Sequence, residues 1–416
     1  MNIKNLSLKQ SGQMRNQLLL VSLCIFCFVL PWSLALMQIG LVLTMLSAIF
    51  IHVTEKRRLV FHPTLILMLV YILFRFISIA LSPDISKSMR ATFQQDWPLL
   101  AVPLLASVQL NAKSWRTVLT VLLVSATLVS LYGLLQTFQG FEYFRGKALD
   151  PVGTNPVATF YRATGGYNIC LTYAGNQLMF FAFILGLLLI RSDKDKVNLL
   201  HLGMFALLFL SIVGTFARSA WLGIVLCIVV GTFFVNRRLF VFSSLGLLLI
   251  GVVASLVFPD IRGRLTSIFD LSLNEARLNL WHTSLKMILD NPFAGIGPGL
   301  FNHVFESYRV PGHYAYLGHS HNDFLNLAAN SGLPALIAWI AIWVSVISSM
   351  FKSVYNSAKT LFQRQVVFGC LLAIVAIWFS SFFQCYYTDL ENNIAWLFFT
   401  GLGLNATIQT WNDQES

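Results

Sequence analysis

The sequence predicts an all-α, polytopic membrane protein, and three observations lead to this fold class. Hydrophobic residues make up 56% of the 416 residues, and charged residues make up only 11%. The mean hydropathy is +0.71, whereas soluble domains carry about 25% charged residues. Apolar runs long enough to cross about 30 Å of hydrocarbon, which takes roughly 20 residues, recur along the chain. About 12 such helices account for nearly all of the sequence, so we expect no separate soluble domain.

The first nine predicted spans occupy residues 1–257. They lie at about 18–36, 37–51, 64–81, 97–108, 118–138, 169–190, 199–214, 219–236 and 239–258. The first span follows a basic segment and lacks a clear cleavage site, which predicts an uncleaved anchor. The second ends at Lys56, Arg57 and Arg58, a cytoplasmic marker by the positive-inside bias. This marker fixes the orientation of the later spans.

A long polar segment, residues 258–333, separates the ninth span from the last three. Those three are predicted at about 334–350, 366–383 and 394–408, within residues 334–416. With 12 spans, both termini are cytoplasmic and residues 258–333 form an exterior loop that carries short helices. Because this loop is the only long polar stretch, we expect any chemistry to take place there.

The net charge of +11 is explained by membrane orientation, because the cations are spread over short loops and do not form a continuous patch for nucleic acid. The six cysteines mostly lie inside apolar runs, where a thiol behaves as a small hydrophobe. Cys24 and Cys27 have the spacing of a redox or zinc motif, but they lie in mid-helix without polar neighbours. We therefore expect neither a disulfide framework nor a metal site there.

Two arginines on the exterior side are candidates for anion binding. Arg218 lies in a turn of a few residues between two spans. An ionised side chain at that depth faces a cavity or a partner, or it reaches out to lipid phosphates. Arg277 lies on a short helix that the capping-box spacing of Ser272 and Glu275 starts and that Asn291 ends. That helix either presents Arg277 to an anion or lies on the membrane surface.

The stretch His319-Ser-His321-Asn-Asp323 is a candidate for proton transfer. Ser320 as N-cap would place His321 at the start of a short helix, where the helix dipole disfavours imidazolium. A neutral imidazole is what a general base needs. Two alternatives remain open. The histidines cap the helix without a chemical role, or they bind a metal together with Asp323, His303 and His313, although the spacings match no standard zinc pattern.

Arginines that face one candidate base imply a substrate with two or more negative charges and a hydroxyl to be deprotonated. Guanidinium groups bind phosphates bidentately, and each charge-assisted hydrogen bond contributes about 1.5 to 3 kcal/mol. Three or four arginines are therefore enough to hold a diphosphate as it leaves, and this chemistry requires no metal.

Three motifs resemble the signature region of the O-antigen ligase and polymerase superfamily. They are the runs at 277–281, 290–299 and 319–334, which read RLNLW, DNPFAGIGPG and HSHNDFLNLAANSGLP. The resemblance implies a GT-C-like membrane glycosyltransferase with 12 transmembrane helices and a periplasmic loop between the ninth and tenth. Such enzymes transfer a glycan from undecaprenyl diphosphate to an acceptor hydroxyl, with no cofactor.

The resemblance also implies roles for individual residues. His321 matches the catalytic histidine, and Arg277 and Arg218 match arginines that act at the catalytic centre. Substrate contacts are expected from Arg90, Arg162, Arg264, His319 and Asp389, with Arg262 as an alternative to Arg264.

Within the superfamily, length and loop size favour an O-antigen ligase that acts in the bacterial inner membrane and faces the periplasm. Its partners would be the undecaprenyl-diphosphate-linked donor, the lipid A-core acceptor and membrane lipids. A polymerase of the same superfamily is the first alternative. An anion transporter is an alternative from another class, although the sequence contains no convincing internal repeat.

Overall fold

The computed structural model describes residues 3–152, 160–192, 198–270, 272–314 and 318–411. The fold is helical. Strands in the described part are confined to one small antiparallel hairpin, β1 (Phe141–Glu142) with β2 (Lys147–Ala148). The all-α class predicted from the sequence is confirmed.

The N-terminal half contains seven of the helices. They are α1 (Ile3–Val29), α2 (Leu34–Thr54), α3 (Pro63–Ala80), α4 (Ile85–Asp96), α5 (Ala101–Ser107), α6 (Ala112–Gln139) and α7 (Cys170–Leu189). A 3-10 turn, Trp97–Leu100, joins α4 to α5. The predicted elements do not include the polar helix α4. The fourth predicted span, residues 97–108, corresponds to this 3-10 turn and the short α5.

The C-terminal half contains nine helices in the described residues and ends with three long ones. Its elements are α8 (Leu199–Val213), α9 (Arg218–Val235), α10 (Arg237–Val257), α11 (Pro259–Thr266), α12 (Glu275–Asp290), α13 (Phe301–Tyr308), α14 (Asp323–Val354), α15 (Leu361–Ser380) and α16 (Leu390–Ile408). A second 3-10 turn, Ser272–Asn274, precedes α12.

Eight of the described helices are long and apolar enough to cross a membrane, and two shorter apolar helices accompany them. The chain is therefore a multi-pass membrane protein, while the total of 12 spans stays a prediction. In the most apolar window of α7, 89% of the residues are buried, whereas none are buried in that of α10. Helix α7 thus lies at the centre of the bundle, and α10 lies at its edge.

Helix α14 is broken at Gly332, which has φ 81° and ψ 167°. The predicted break between the loop and the tenth span is therefore confirmed. The run at 295–297 covers the C-terminal end of the first half of α14, because the N–H groups of Ile296 and Gly297 donate to the carbonyls of Ala329 (2.8 Å) and Asn330 (3.1 Å). A Cβ on Gly332 would lie 2.0 Å from the carbonyl oxygen of Phe293, so only glycine permits this contact.

A buried ion pair supports the same helix end from the other side. Arg75 on α3 is 2% exposed and pairs with Asp96 at the end of α4, with 2.9 Å between Nε and Oδ2. Its Nη1 also donates to Ser331 Oγ at 2.6 Å. A cation at this point is favourable because the C-terminal end of a helix is partially negative. Arg75 thus fixes α3, α4 and α14 relative to one another.

Loss of this ion pair should destabilise the fold. Asp96→Asn leaves a buried cation without its counter-ion, which costs roughly 3–5 kcal/mol. The matched control is Glu306→Gln, which removes the exposed Arg309–Glu306 pair and costs about 1 kcal/mol or less. Cys27, Cys227, Cys370 and Cys385 are buried, so a thiol-reactive dye reports the unfolding midpoint in detergent. Equal midpoints for the two variants would contradict this account.

Candidate active site

The loop at 381–389, between α15 and α16, connects the histidine stretch to the membrane helices. The carboxylate of Asp323 accepts hydrogen bonds from the backbone N–H groups of Tyr386 (2.8 Å), Tyr387 (2.8 Å) and Thr388 (3.4 Å). Asp323 is 2% exposed, so these three donors compensate for the loss of water around its carboxylate. The loop is thereby held against the start of α14.

His321 is held by the same loop. Its Nδ1 lies 2.7 Å from Oε1 of Gln384. An amide oxygen only accepts, so Nδ1 carries the proton and the basic lone pair is on Nε2. His321 has φ 51°, a left-handed conformation that is uncommon for a non-glycine residue and that concentrates at functional sites. The surrounding contacts therefore fix both the tautomer and the direction of the imidazole.

The protonation of His321 suits a general base. Burial lowers its pKa below the usual value of 6.5, the Gln384 hydrogen bond opposes this shift, and Arg277 lowers the pKa further. A histidine with a pKa below 6.5 is neutral at pH 7, the state in which Nε2 can accept a proton.

His319 packs against His321, with 4.4 Å between the ring centroids. Its Nδ1 accepts the backbone N–H of His321 at 3.1 Å. Burial, followed by the proximity of His321 and Arg277, lowers the pKa of His319 to about 3. His319 is therefore a neutral positioning residue that helps to hold the unusual backbone of His321.

Four arginines from separate elements lie together beside the histidines. Arg162 precedes α7, Arg218 is the first residue of α9, Arg264 lies on α11 and Arg277 on α12. Arg218 is anchored to α11's end, because its Nη1 donates to the carbonyl oxygen of Ser267 at 2.7 Å and to the Ser267 hydroxyl at 3.1 Å. All four are half-buried, whereas Arg262 is exposed, so the structure brings Arg264 and not Arg262 to this cluster.

The four guanidinium groups repel one another. Arg162 and Arg277 act electrostatically on Arg218. Burial lowers the pKa of Arg264, and the nearby charges of Arg162 and Arg218 lower it further. Burial also lowers the pKa of Arg277, and the charge of Arg162 acts in the same direction. Among the described residues, none of the four forms an ion pair with a carboxylate. A bound anion would relieve this repulsion, and the N-terminus of α9 adds its own positive dipole.

The two remaining predicted residues have different positions. Asp389 is held by Thr172 Oγ1 at 2.6 Å and Asn392 Nδ2 at 2.9 Å. Burial and the neighbouring Glu391 raise its pKa. Arg90 is exposed on α4, and no contact found within the described residues joins it to the four-arginine cluster. The structure thus brings Asp389, but not Arg90, to the centre of the site.

Two cavities meet at His319. The larger is about 830 Å³, lies between α2, α4, the turn at 298–302 and the first half of α14, and includes His319 and Thr388 in its wall. The smaller is about 230 Å³ and is lined by His319, Gln384, Thr388 and Asp389, among others. His319 therefore stands between two spaces that can each hold part of a ligand.

Two expectations about helix starts were wrong. Asn322, not Ser320, is the N-cap of α14 and accepts the N–H of Leu325 at 3.1 Å, so His321 lies before the helix rather than at its start. Helix α12 starts without a capping box, because Ser272 is bonded to Asp270 instead. The predicted end of α12 at Asn291 is confirmed.

Sequence reasoning missed Gln384. It lies more than sixty positions from His321 in a loop without a recognisable motif, so no local spacing points to it. The alternative of a metal site requires several ligands close together. In the described ranges, no three His, Cys, Asp or Glu side chains lie close enough to bind one metal ion. His303 and His313 are exposed, and Asp323 faces the backbone of the loop at 381–389.

Comparison with known proteins places part of the chain in a family. Residues 203–340, from α8 into α14, match the family model described as O-Antigen ligase. This region contains Arg218, Arg264, Arg277, His319 and His321. No curated protein matches the chain.

The Gln384 hydrogen bond should control the basicity of His321. Gln384→Leu removes an acceptor that stabilises imidazolium, so the pKa of His321 should fall further below 6.5. Gln384→Glu places a carboxylate at the same point and should raise that pKa. The pH dependence of diethyl pyrocarbonate modification of His321, followed by mass spectrometry, measures both shifts. Identical midpoints in the wild type and both variants would show that Gln384 does not act on the imidazole.

Proposed function

We propose, on the premise that residues 203–340 form a domain of the O-antigen ligase superfamily, that the chain transfers O-polysaccharide from undecaprenyl diphosphate to a sugar hydroxyl of lipid A-core. The family match supports ligase-type glycosyltransferase activity in general. The observation that carries the finer proposal is the neutral His321, oriented by Gln384, beside half-buried arginines that have no carboxylate partner in the described structure.

The proposed reaction is a single displacement. Nε2 of His321 takes the proton of the acceptor hydroxyl while that oxygen attacks the anomeric carbon of the donor glycan. The bond between this carbon and the diphosphate oxygen breaks, and undecaprenyl diphosphate leaves. Attack from the face opposite to the leaving group inverts the anomeric configuration. The chain's own residues supply the base and the positive charge for these steps.

The leaving diphosphate would be stabilised by Arg162, Arg218, Arg264 and Arg277. Negative charge grows on the bridging oxygen as the glycosidic bond breaks, and fixed donors aimed at developing charge lower the barrier. Because the guanidinium groups are already clustered and partly desolvated, little reorganisation is needed when the charge develops. The exposed Arg90 would act earlier, by attracting the donor headgroup to the cavity mouth.

The orientation of the chain follows from the same proposal. Arg57 follows α2, Arg237 begins α10 and Arg364 lies in the first turn of α15. Helices α9 and α15 have their other ends at Arg218 and at the loop at 381–389, so these cations lie away from the arginine cluster, on the face that the positive-inside bias makes cytoplasmic. The site then faces the periplasm of a bacterial inner membrane, where both substrates present their glycans. Both termini are placed in the cytoplasm, and residues 258–333 form the periplasmic catalytic loop between the transmembrane parts 1–257 and 334–416.

Removal of the base should abolish transfer. His321→Asn keeps a residue that tolerates positive φ, so the backbone can be retained while the basic nitrogen is lost. The turnover number should fall about 100- to 10,000-fold, measured with purified protein, lipid-linked donor and lipid A-core, with an unchanged unfolding midpoint. Transfer at a near wild-type rate would refute the assignment of the base. Longer glycans on undecaprenyl diphosphate, with lipid A-core left unmodified, would indicate the polymerase alternative.

The arginines should act on the donor. Arg218→Lys and Arg277→Lys keep the charge but lose the bidentate fork, so donor affinity should weaken by about 10- to 100-fold, the value of one charge-assisted hydrogen bond. The control is Lys147→Ala, which removes an exposed cation on β2. Binding of radiolabelled undecaprenyl diphosphate in detergent measures the effect. Unchanged binding in both arginine variants would contradict the proposed diphosphate site.

A further inference from the structure

We propose that the C-terminal half of α12 and the turn that follows it lie in the interface of the lipid bilayer, where phospholipids cover Leu285, Leu289 and Phe293. Sequence alone leaves two interpretations of α12 open, because the helix can present Arg277 to an anion or lie on the membrane surface. The contacts of the helix favour both interpretations, at its opposite ends. The inference concerns bilayer lipids and does not depend on the proposed transfer reaction.

One face of α12 is covered by protein. Leu280, Met287 and Ile288 belong to a buried apolar cluster whose other members come mainly from α13 and the first half of α14. A helix that packs on a core through one apolar face normally turns polar residues to the other side. This packing therefore fixes which side of α12 faces away from the protein.

The opposite face combines exposed leucines with basic side chains. Leu289 is 77% exposed, Leu285 is also exposed, and neither belongs to an apolar cluster in the described part of the chain. His282 and Lys286 are exposed beside them, because residues three and four positions apart are neighbours on a helix. An apolar edge next to basic groups is typical of an interfacial helix, in which leucine enters the acyl region and lysine reaches the lipid phosphates.

The neighbouring helix α13 has a different outer face. It packs on the same cluster through Phe301 and Phe305, but its exposed side chains are polar, namely those of Asn302, His303, Glu306 and Ser307. The two helices thus share a core and differ in what they expose. This difference indicates different surroundings, water for α13 and lipid for α12.

The end of α12 also lies at the level of the membrane boundary. The backbone N–H of Leu333 donates to the carbonyl of Pro292 at 2.8 Å, which places Phe293 beside the break at Gly332. The second half of α14, residues 333–354, is about 33 Å long at about 1.5 Å per residue, close to the roughly 30 Å of hydrocarbon in a bilayer. Leu333 therefore lies at the edge of the hydrocarbon, and the exposed Phe293 lies at the same level.

The apolar surface continues from α12 into the membrane-spanning part of α14. Leu333 is exposed, and so is Ile337 one turn further along. These side chains face lipid, because α14 is one of the helices that are long and apolar enough to cross a membrane. Leu289 and Phe293 thus extend a lipid-facing surface and do not form an isolated patch.

Arg277 lies on the same side of α12 as the exposed leucines. Positions 277, 281, 285 and 289 form one row with a spacing of four residues, and the row changes from a half-buried arginine to an exposed leucine. Arg277 is about 18 Å from Leu289 along the helix axis. Lipid at one end of α12 and the arginine cluster at the other end thus fix this helix at the bilayer surface.

Nitroxide labels in lipid nanodiscs test the inference without any substrate. Cys24 and Cys170, which are not fully buried, are replaced by serine, and Leu289→Cys or Phe293→Cys then supplies a single labelling site. In nanodiscs of phosphatidylcholine and phosphatidylglycerol, both labels should lie about 5–10 Å inside the boundary between headgroups and acyl chains. They should collide with dissolved oxygen and be protected from a water-soluble nickel chelate. Glu306→Cys on α13 is the matched control, and its label should be accessible to the nickel chelate.

A second variant tests the apolar contact itself. Leu289→Glu places a carboxylate in the proposed acyl region, so the label at Phe293→Cys should move towards water and lose its protection from the nickel chelate. Glu306→Gln, a change on the polar face of α13, should leave the depth of that label unchanged. A label that keeps its depth in the Leu289→Glu variant would contradict the proposed role of this leucine.

Three other results would overturn the inference. Labels at Leu289 and Phe293 that are as accessible to the nickel chelate as the label at Glu306 would refute contact with the bilayer. Protection that develops only after undecaprenyl diphosphate is added would assign this face to the polyprenyl chain of the donor. Dipolar broadening between labels would assign it to a second copy of the protein. None of these measurements involves transfer, so their failure leaves the proposed function intact, and an inactive wild type leaves the membrane contact intact.

Discussion

The site depends on the buried carboxylate of Asp323, which accepts three backbone N–H groups of the loop at 381–389. This contact joins the start of α14 to the connection between α15 and α16. It places Gln384 against His321 and brings Tyr386 to α9, where its hydroxyl meets Ser219 at 2.8 Å. One buried carboxyl group, hydrogen-bonded to backbone donors, thus sets the positions of the candidate base, its orienting amide and the helix that begins with Arg218.

Positive charge is distributed unevenly around the candidate site. Four arginines that have no carboxylate partner in the described structure cluster near the histidines, whereas the larger cavity has its single described cation neutralised by Asp96. The diphosphate of the proposed donor would therefore be attracted to the cluster and not to this cavity.

The sequence predicted the membrane class, most of the spans and the break at Gly332, because hydropathy and glycine or proline signals are local. Arg218 and Arg277 were also identifiable, since an arginine at a short membrane turn and one on a delimited polar helix are unusual. The role of Gln384, the N-cap at Asn322 and the Arg75–Asp96 pair were not identifiable. Gln384 and the ion pair depend on contacts between residues distant in sequence, and the N-cap depends on a choice between Ser320 and Asn322 that packing decides.

The most direct test of the central claim is a cryo-electron microscopy structure of the protein with undecaprenyl diphosphate bound in lipid nanodiscs. The proposed mechanism predicts phosphate oxygens at about 3 Å from the guanidinium groups of Arg218 and Arg277, with Nε2 of His321 facing the terminal phosphate, where the glycan is attached in the donor. A diphosphate bound inside the larger cavity, or remote from these arginines, would contradict it.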